Sequence, residues 1–195
     1  MYSILLDTHS KDLFIIIYKD HKVISENKYT FPNQSKYIIS KLQEVLDSNK
    51  IDIKELKEII VVNGPGSFTG VRIGVTVAKT IAYALDIPIK SISSLYLQAI
   101  NANSDKDYLI AIPDNKGYYV GEFSKDNKLL KDYYYIPKSE FNDKDVLNVT
   151  DINWNLIYEN NCLTDEDYYN MKPLYIKKIE VEKWLENILI LTFKD

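Results

Sequence analysis

Four of the six glycines in this 195-residue chain fall within eleven residues, Gly64-Pro65-Gly66-Ser67-Phe68-Thr69-Gly70-Val71-Arg72-Ile73-Gly74. Glycines gather where backbone must turn left-handed or pass close to other atoms. Residues 59–62 precede the cluster as an unbroken apolar run, the pattern of a buried strand. Residues 71–85 follow it as a predicted helix, closed by Asp86-Ile87-Pro88. A strand, a glycine loop and a helix in that order form an α/β unit. Such a loop can aim N–H groups at an anion, helped by the helix dipole; Ser67 and Thr69 add hydroxyls and Arg72 adds fixed charge. The string is not a Walker loop, since no Gly-Lys-Ser/Thr follows, and it does not match Gly-x-Gly-x-x-Gly. From the residues, a tight structural turn and a phosphate site are both open.

The helix behind the loop is apolar around most of its circumference, through Val71, Ile73, Val75, Val77, Ile81, Tyr83 and Leu85; Arg72 and Lys79 are its only charges. Such a helix is covered on more than one side. Gly70, Gly74, Ala78 and Ala82 recur every four residues and make a smooth stripe along which another helix can lie closely. One reading buries the stripe against the chain's own sheet and a helix predicted at residues 35–48. The other makes the two helices a seam for a second protein, contacted through Tyr37, Ile39, Arg72, Val75, Ala78, Lys79 and Ala82. Tyr37 and Ile39 favour the seam, because they lie partly off the core-facing stripe of Ile38, Leu42, Val45 and Leu46. Of the 24 basic residues, Arg72 alone is arginine. A guanidinium kept in so lysine-rich a chain suggests a forked, bidentate hydrogen bond.

Upstream, residues 2–7, 12–19 and 23–29 read as an antiparallel meander joined by polar turns. Phe31-Pro32-Asn33 ends it, Asn33 or Ser35 can cap the next helix, and Asn49 stops that helix. Residues 87–91 form a short strand, and Ser93 or Ser94 caps a third helix through about Ala102. The order βββαβαβα implies a lobe with its sheet in the middle and helices on its faces. The second half starts again with strands at 108–112, 118–123 and 129–136. It continues with a short helix near 164–170 and an amphipathic helix about 181–188. The expected organisation is therefore two related lobes: residues 1–103 with the glycine motif, and a smaller, reduced lobe at 104–195.

Net charge is −4: residues 1–100 carry 12 basic and 10 acidic side chains, residues 101–195 carry 12 and 18. Neither half has the basic field with which a protein grips RNA unaided. A single cysteine, Cys162, allows no intrachain disulfide and no thiolate zinc cluster. His9 and His21 lie twelve residues apart without a third partner, so structural places in turns are expected and a metal site is not. Asp7 is the candidate catalytic carboxylate if there is one. The opening has no basic n-region, and no apolar run approaches the roughly 20 residues of a membrane helix. A cytosolic protein is expected.

The eleven-residue string resembles the hallmark of the bacterial tRNA threonylcarbamoyladenosine biosynthesis protein TsaB family. Leu5-Leu6-Asp7-Thr8 looks like that family's first strand and turn, and Ile87-Pro88 with Ser93-Ser94-Leu95 resembles its strand after the glycine helix. Pro173-Leu174-Tyr175-Ile176-Lys177 is similar to its C-terminal Pro-x-Tyr-Leu-Arg. The likeness is good over about residues 2–125. It implies an α/β, actin-like (ASKHA, ribonuclease H-like) two-lobed fold related to sugar kinases and Hsp70. It also implies an accessory subunit with no catalytic residue, metal ligand or cofactor of its own. Such a subunit pairs with a TsaD-like paralogue through helices 35–48 and 71–85, works with a TsaE-like ATPase, and can self-associate. ATP or ADP and a divalent metal would sit in the partner subunits, and tRNA would be met only through the complex. The chain departs from the family with Gln34-Ser35 where His-Ser is usual and Asp114-Asn115-Lys116 where Asp-Ala-Arg is usual. The paralogue's metal-binding His-x-x-x-His is absent, and the Asp7-Thr8 turn lacks the glycine with which ATP-using relatives wrap phosphates. The rival readings are an autonomous actin-like ATPase or kinase, with Asp7 as base, and a metallopeptidase, for which ligands are wanting.

Overall fold

The first three strands are built from the apolar runs before residue 30: β1 (Tyr2–Asp7), β2 (Asp12–Lys19) and β3 (Lys22–Thr30). In the computed structural model, which describes residues 1–177, they join β4 (Leu56–Val62) and β5 (Ile89–Ile92) in one sheet. The strand order is β3-β2-β1-β4-β5-β9, with β9 formed by Thr164–Glu166. β1 is antiparallel to β2 and parallel to β4, which is parallel to β5. That is the ribonuclease H-like arrangement expected of an actin-like lobe. Strands buried on both faces read as continuous apolar runs, and β1 and β4 do. Ile4, Leu6, Ile59 and Val61 meet one core cluster; Leu5, Ile60 and Val62 meet another on the opposite face.

On the first face lie α1 (Ile38–Ser48), which buries Ile38, Leu42, Val45 and Leu46, and α2 (Phe68–Leu85). The helix expected from residue 35 is preceded by a separate 3-10 turn, Gln34–Lys36, because Asn33 takes the Ser35 hydroxyl and caps no backbone group. α2 begins at Phe68 because Ser67 Oγ accepts from Gly70 N, and it ends at Asp86, whose φ of 52° is left-handed. On the second face lie α3 (Ser94–Ala99), capped by Ser93, and α4 (Leu156–Glu159).

A second, three-stranded sheet is formed by β6 (Tyr108–Pro113), β7 (Gly117–Phe123) and β8 (Tyr134–Pro137). It packs Tyr108, Ile110, Ile112 and Phe123 against Leu95 and Ala99 of α3. Two expectations change here. The strand read at 129–136 pairs as a strand only over Tyr134–Pro137. Residues 124–133 make an excursion around Asn127, at φ 60°, and Leu129 forms an isolated bridge to Phe123. The helix read near 164–170 is instead edge strand β9, antiparallel to β5. Thr164-Asp165-Glu166 has no apolar stripe to bury, while β5 offered an open row of backbone groups; Ser91 Oγ donates to Glu166 at 2.6 Å. Asp167 then accepts from Tyr169 N and Asn170 Nδ2, turning the chain away.

Residues 152–166 thus return to the first sheet. Trp154 and Ile157 fill its second face, and Tyr18 donates to the Trp154 carbonyl at 3.1 Å. Tyr158 Oη lies 2.5 Å from Glu58 Oε1 and 2.8 Å from Ser3 Oγ, and Lys90 pairs with Glu58 at 2.9 Å. Among the described residues no helix is long and apolar enough to cross a membrane. The helix expected about 181–188 lies outside the described residues.

Candidate functional site

The glycine loop runs from the end of β4 to the first turn of α2 and lies on the β1–β2 turn. Ser67 N donates to the His9 carbonyl at 2.7 Å, and Thr8 Oγ1 donates to the Gly70 carbonyl at 2.7 Å. A Cβ at Gly70 would land on the Thr8 carbonyl oxygen, and one at Gly74 on the Thr8 hydroxyl. These glycines therefore let α2 approach the β1–β2 turn more closely than any side chain would allow. Ser94 secures the loop from the other side, its N donating to the Gly64 carbonyl at 2.8 Å and its hydroxyl to the Pro65 carbonyl. The loop is a packed joint between β1, α2 and α3.

Beside the joint opens a cleft of about 840 Å³. His9, Lys11, Ser67 and Thr69 line one wall; Asp114, Asn115 and Lys138 of the second lobe contribute to the other. Its chemistry is restrained by internal bonds. The Asp7 side chain is 2% exposed, and Oδ1 accepts from His9 N at 2.9 Å and meets His9 Nδ1 at 2.7 Å. Burial works against a charge on His9, but the Asp7 carboxylate and its hydrogen bond more than offset this, holding the imidazole above its ordinary value. Ser67 N–H is given to His9, and Gly70 N–H to Ser67 Oγ. Two of the donors an anion would seek are already engaged.

His9 is thus no lone turn histidine but one half of a buried pair with Asp7. The sequence signal was the Asp-x-His spacing, short enough for a side chain to bond back within its own turn. His21 stacks on Tyr158, ring centroids 4.3 Å apart. Among the described residues no three His, Cys, Asp or Glu side chains group as metal ligands.

The residues expected at a partner seam divide in two. Val75, Ala78 and Ala82 are buried in the chain's own core, at 3%, 0% and 0% exposure. The small-residue stripe therefore serves internal packing, because only glycine and alanine let α2 sit so close to the β1–β2 turn and the sheet. Lys79 is half-buried, its ammonium donating to the Met171 carbonyl at 3.0 Å. Tyr37 just before α1, Ile39 on α1 and Arg72 on α2 do face outward. The exposed residues of α2 are Phe68, Thr69, Arg72, Thr76, Thr80, Tyr83 and Ala84. They form a second stripe in which Arg72 is the one charge.

The C-terminal segment, whose role sequence reasoning missed, ties this surface to the joint. Leu174 N donates to the Asn63 carbonyl at 2.8 Å, and Tyr175 Oη accepts from Arg72 Nε at 2.8 Å. Lys177 pairs with Asp114 at 3.2 Å. Pro173-Leu174-Tyr175-Ile176-Lys177 and Asp114-Asn115-Lys116, noted separately in the sequence, are therefore in contact through this last pair.

A family model described as TsaD, tRNA N6-adenosine threonylcarbamoyltransferase, matches residues 29–114. The tRNA threonylcarbamoyladenosine biosynthesis protein TsaB of Bacillus subtilis is 36% identical over 134 residues, 67% of this chain and 58% of that protein. The TsaB of Escherichia coli is 26% identical over 130 residues, 65% of this chain and 56% of that protein. The chain thus spans less than two thirds of the length of these relatives. The solved structure of YeaZ from Pseudomonas aeruginosa superposes with a TM-score of 0.72 at 16% identity, covering 89% of this chain and all of that one; it shares the fold.

Proposed function

The chain belongs to the TsaB family, and from that premise we propose that it is a non-catalytic accessory subunit in making threonylcarbamoyladenosine on tRNA. In this reading it scaffolds and activates a TsaD-type threonylcarbamoyltransferase in the cytosol, together with a TsaE-type ATPase. The nucleotide and divalent metal belong to those partners, tRNA is met through the assembly, and the isolated chain can pair with itself. The observation that carries the reading is the outer surface of α2. A helix that buries Val71, Val75, Ala78, Ile81 and Ala82 still shows a stripe of threonine, tyrosine and alanine with a single charge. Solvated helix faces are ordinarily charged and polar. Phe68 at 52% exposure and Tyr83 at 63% belong to it, the composition expected at a protein contact rather than in open water.

The cleft beside the glycine loop raises the rival reading, an autonomous ATPase or kinase. The bonds that hold Asp7 and Ser67 N–H speak against it, since a general base needs a free carboxylate within reach of the reacting proton. The deciding experiment combines the purified chain with the TsaD-type and TsaE-type proteins of the same cell, tRNA and threonylcarbamoyl-adenylate. Modified adenosine should form only when all three proteins are present, and the chain should co-elute with the TsaD-type protein. Full transfer without the chain, or ATP hydrolysis by the chain alone, would overturn the proposal.

A further inference from the structure

Arg72 is held with its fork open. Its guanidinium carbon lies 3.7 Å from the centroid of the Phe68 ring and 5.6 Å from that of Tyr175, and Nε donates to Tyr175 Oη. Among the described residues no hydrogen bond or ion pair reaches its two Nη atoms. Tyr175 is itself anchored, because Leu174 N is bonded to the Asn63 carbonyl and Lys177 to Asp114. A flexible cation has thereby been turned into an oriented one, desolvated on one side by a ring, with two donor atoms unused.

Its surroundings limit what those donors can meet. The other cation of α2, Lys79, is tied to the carbonyls of Tyr169 and Met171, and Thr76 and Thr80, the next exposed residues along the stripe, are neutral. A partner with only apolar or neutral groups here would bury an uncompensated charge, which is strongly unfavourable. A nucleic-acid backbone is gripped by clusters of cations, and this stripe offers one. We infer that Arg72 receives a carboxylate side chain of the partner subunit in a bidentate pair, between the fixed walls of Phe68 and Tyr175. The inference rests on the accessory-subunit reading above. Guanidinium and carboxylate match in fork geometry. Holding the guanidinium in place beforehand also reduces the ordering that binding would otherwise demand. Arginine and tyrosine are both enriched at interface hot spots.

The test is the dissociation constant between the full chain and the TsaD-type protein of the same cell, at two salt concentrations, for wild type and three variants checked for unchanged melting. Arg72→Gln should weaken binding by about 30- to 100-fold and flatten its salt dependence. Arg72→Lys, which keeps the charge without the fork, should lose about tenfold. Tyr175→Phe, which keeps the ring but frees Nε, should lose a few-fold. Substituting the partner's interface Asp and Glu residues to amides should find one whose effect is not additive with Arg72→Gln. Binding of Arg72→Gln within about twofold of wild type overturns the inference and leaves the accessory role standing. So does intact pairing with weakened tRNA capture by the complex, which would make the anion a phosphate. If wild type itself fails to bind, the accessory reading falls and takes the inference with it.

Discussion

Replacing Asp7 by asparagine should destabilise the folded chain by about 2–4 kcal/mol at neutral pH. The carboxylate and the imidazole of His9 are 2% and 13% exposed and 2.7 Å apart, and the same oxygen accepts from His9 N at 2.9 Å. Breaking a buried pair by removing one charge costs about 3–5 kcal/mol. Asparagine retains an acceptor oxygen and His9 can release its proton, so the loss should fall toward the lower end. The loss should also depend on pH. His9 is held above its ordinary 6.5 in the folded state, against the effect of burial, by the Asp7 charge and hydrogen bond. A group with a raised folded value binds its proton more tightly when folded. Its contribution is therefore complete below 6.5 and disappears as pH rises through the raised value. Urea unfolding of wild type at a series of pH values should show this decline, and Asp7→Asn should lack it. The imidazole proton resonance should titrate above 6.5 in wild type only. An unfolding free energy within about 0.5 kcal/mol of wild type, with an imidazole titrating at or below 6.5, would refute the reasoning.

The same approach separates the two sides of α2. Ala82→Glu places an unpaired carboxylate in a fully buried position and should prevent folding or cost more than about 3 kcal/mol; Thr80→Glu, on the exposed stripe, should alter stability by no more than about 0.5 kcal/mol while weakening co-elution with the TsaD-type protein. Gly74→Ala would ordinarily favour a helix by about 1 kcal/mol, yet here it should destabilise by about 1–3 kcal/mol, because the new methyl meets the Thr8 hydroxyl; Thr8→Ala should recover part of the loss in thermal melts. Tyr158→Phe removes the hydroxyl that reaches Glu58 and Ser3 and should cost about 1.5–3 kcal/mol, with Lys90 left as the remaining partner of the Glu58 carboxylate.

What could be read from the sequence follows the reach of each signal. The apolar runs of β1, β2 and β4 identified the first sheet because strands buried on both faces need no partner to betray them. β9 was hidden, since Thr164-Asp165-Glu166 has neither strand composition nor alternation; it is a strand only because β5 had an unpaired edge. The excursion at 124–133 was hidden for a related reason. Leu129 and Leu130 look like strand residues, but at 41% and 52% exposure they are not in the sheet's core. At the glycine loop the sequence marked which residues matter and left open why. The Asp7–His9 pair is local to its own turn, but that Ser67 N–H is given to the His9 carbonyl depends on how the β1–β2 turn meets α2, an approach between residues some sixty positions apart.

The alanine and glycine stripe of α2 is the instructive case, because one pattern supported two opposite placements. A helix apolar all round announces that it is covered, without saying which side is covered by the chain itself. Steric demand decides between the sides. The joint with Thr8 leaves no free room for a side chain at Gly70 or Gly74, so the smallest residues face inward, and Ala78 and Ala82 continue that line. The larger neutral residues are left outside by geometry. A threonine stripe with one oriented arginine is more soluble than a leucine stripe, yet it carries little charge to be stripped of water when another surface closes over it. Close internal packing thus leaves on the outer face of α2 the low-charge surface that the proposed partner contact calls for, without a separate interface element.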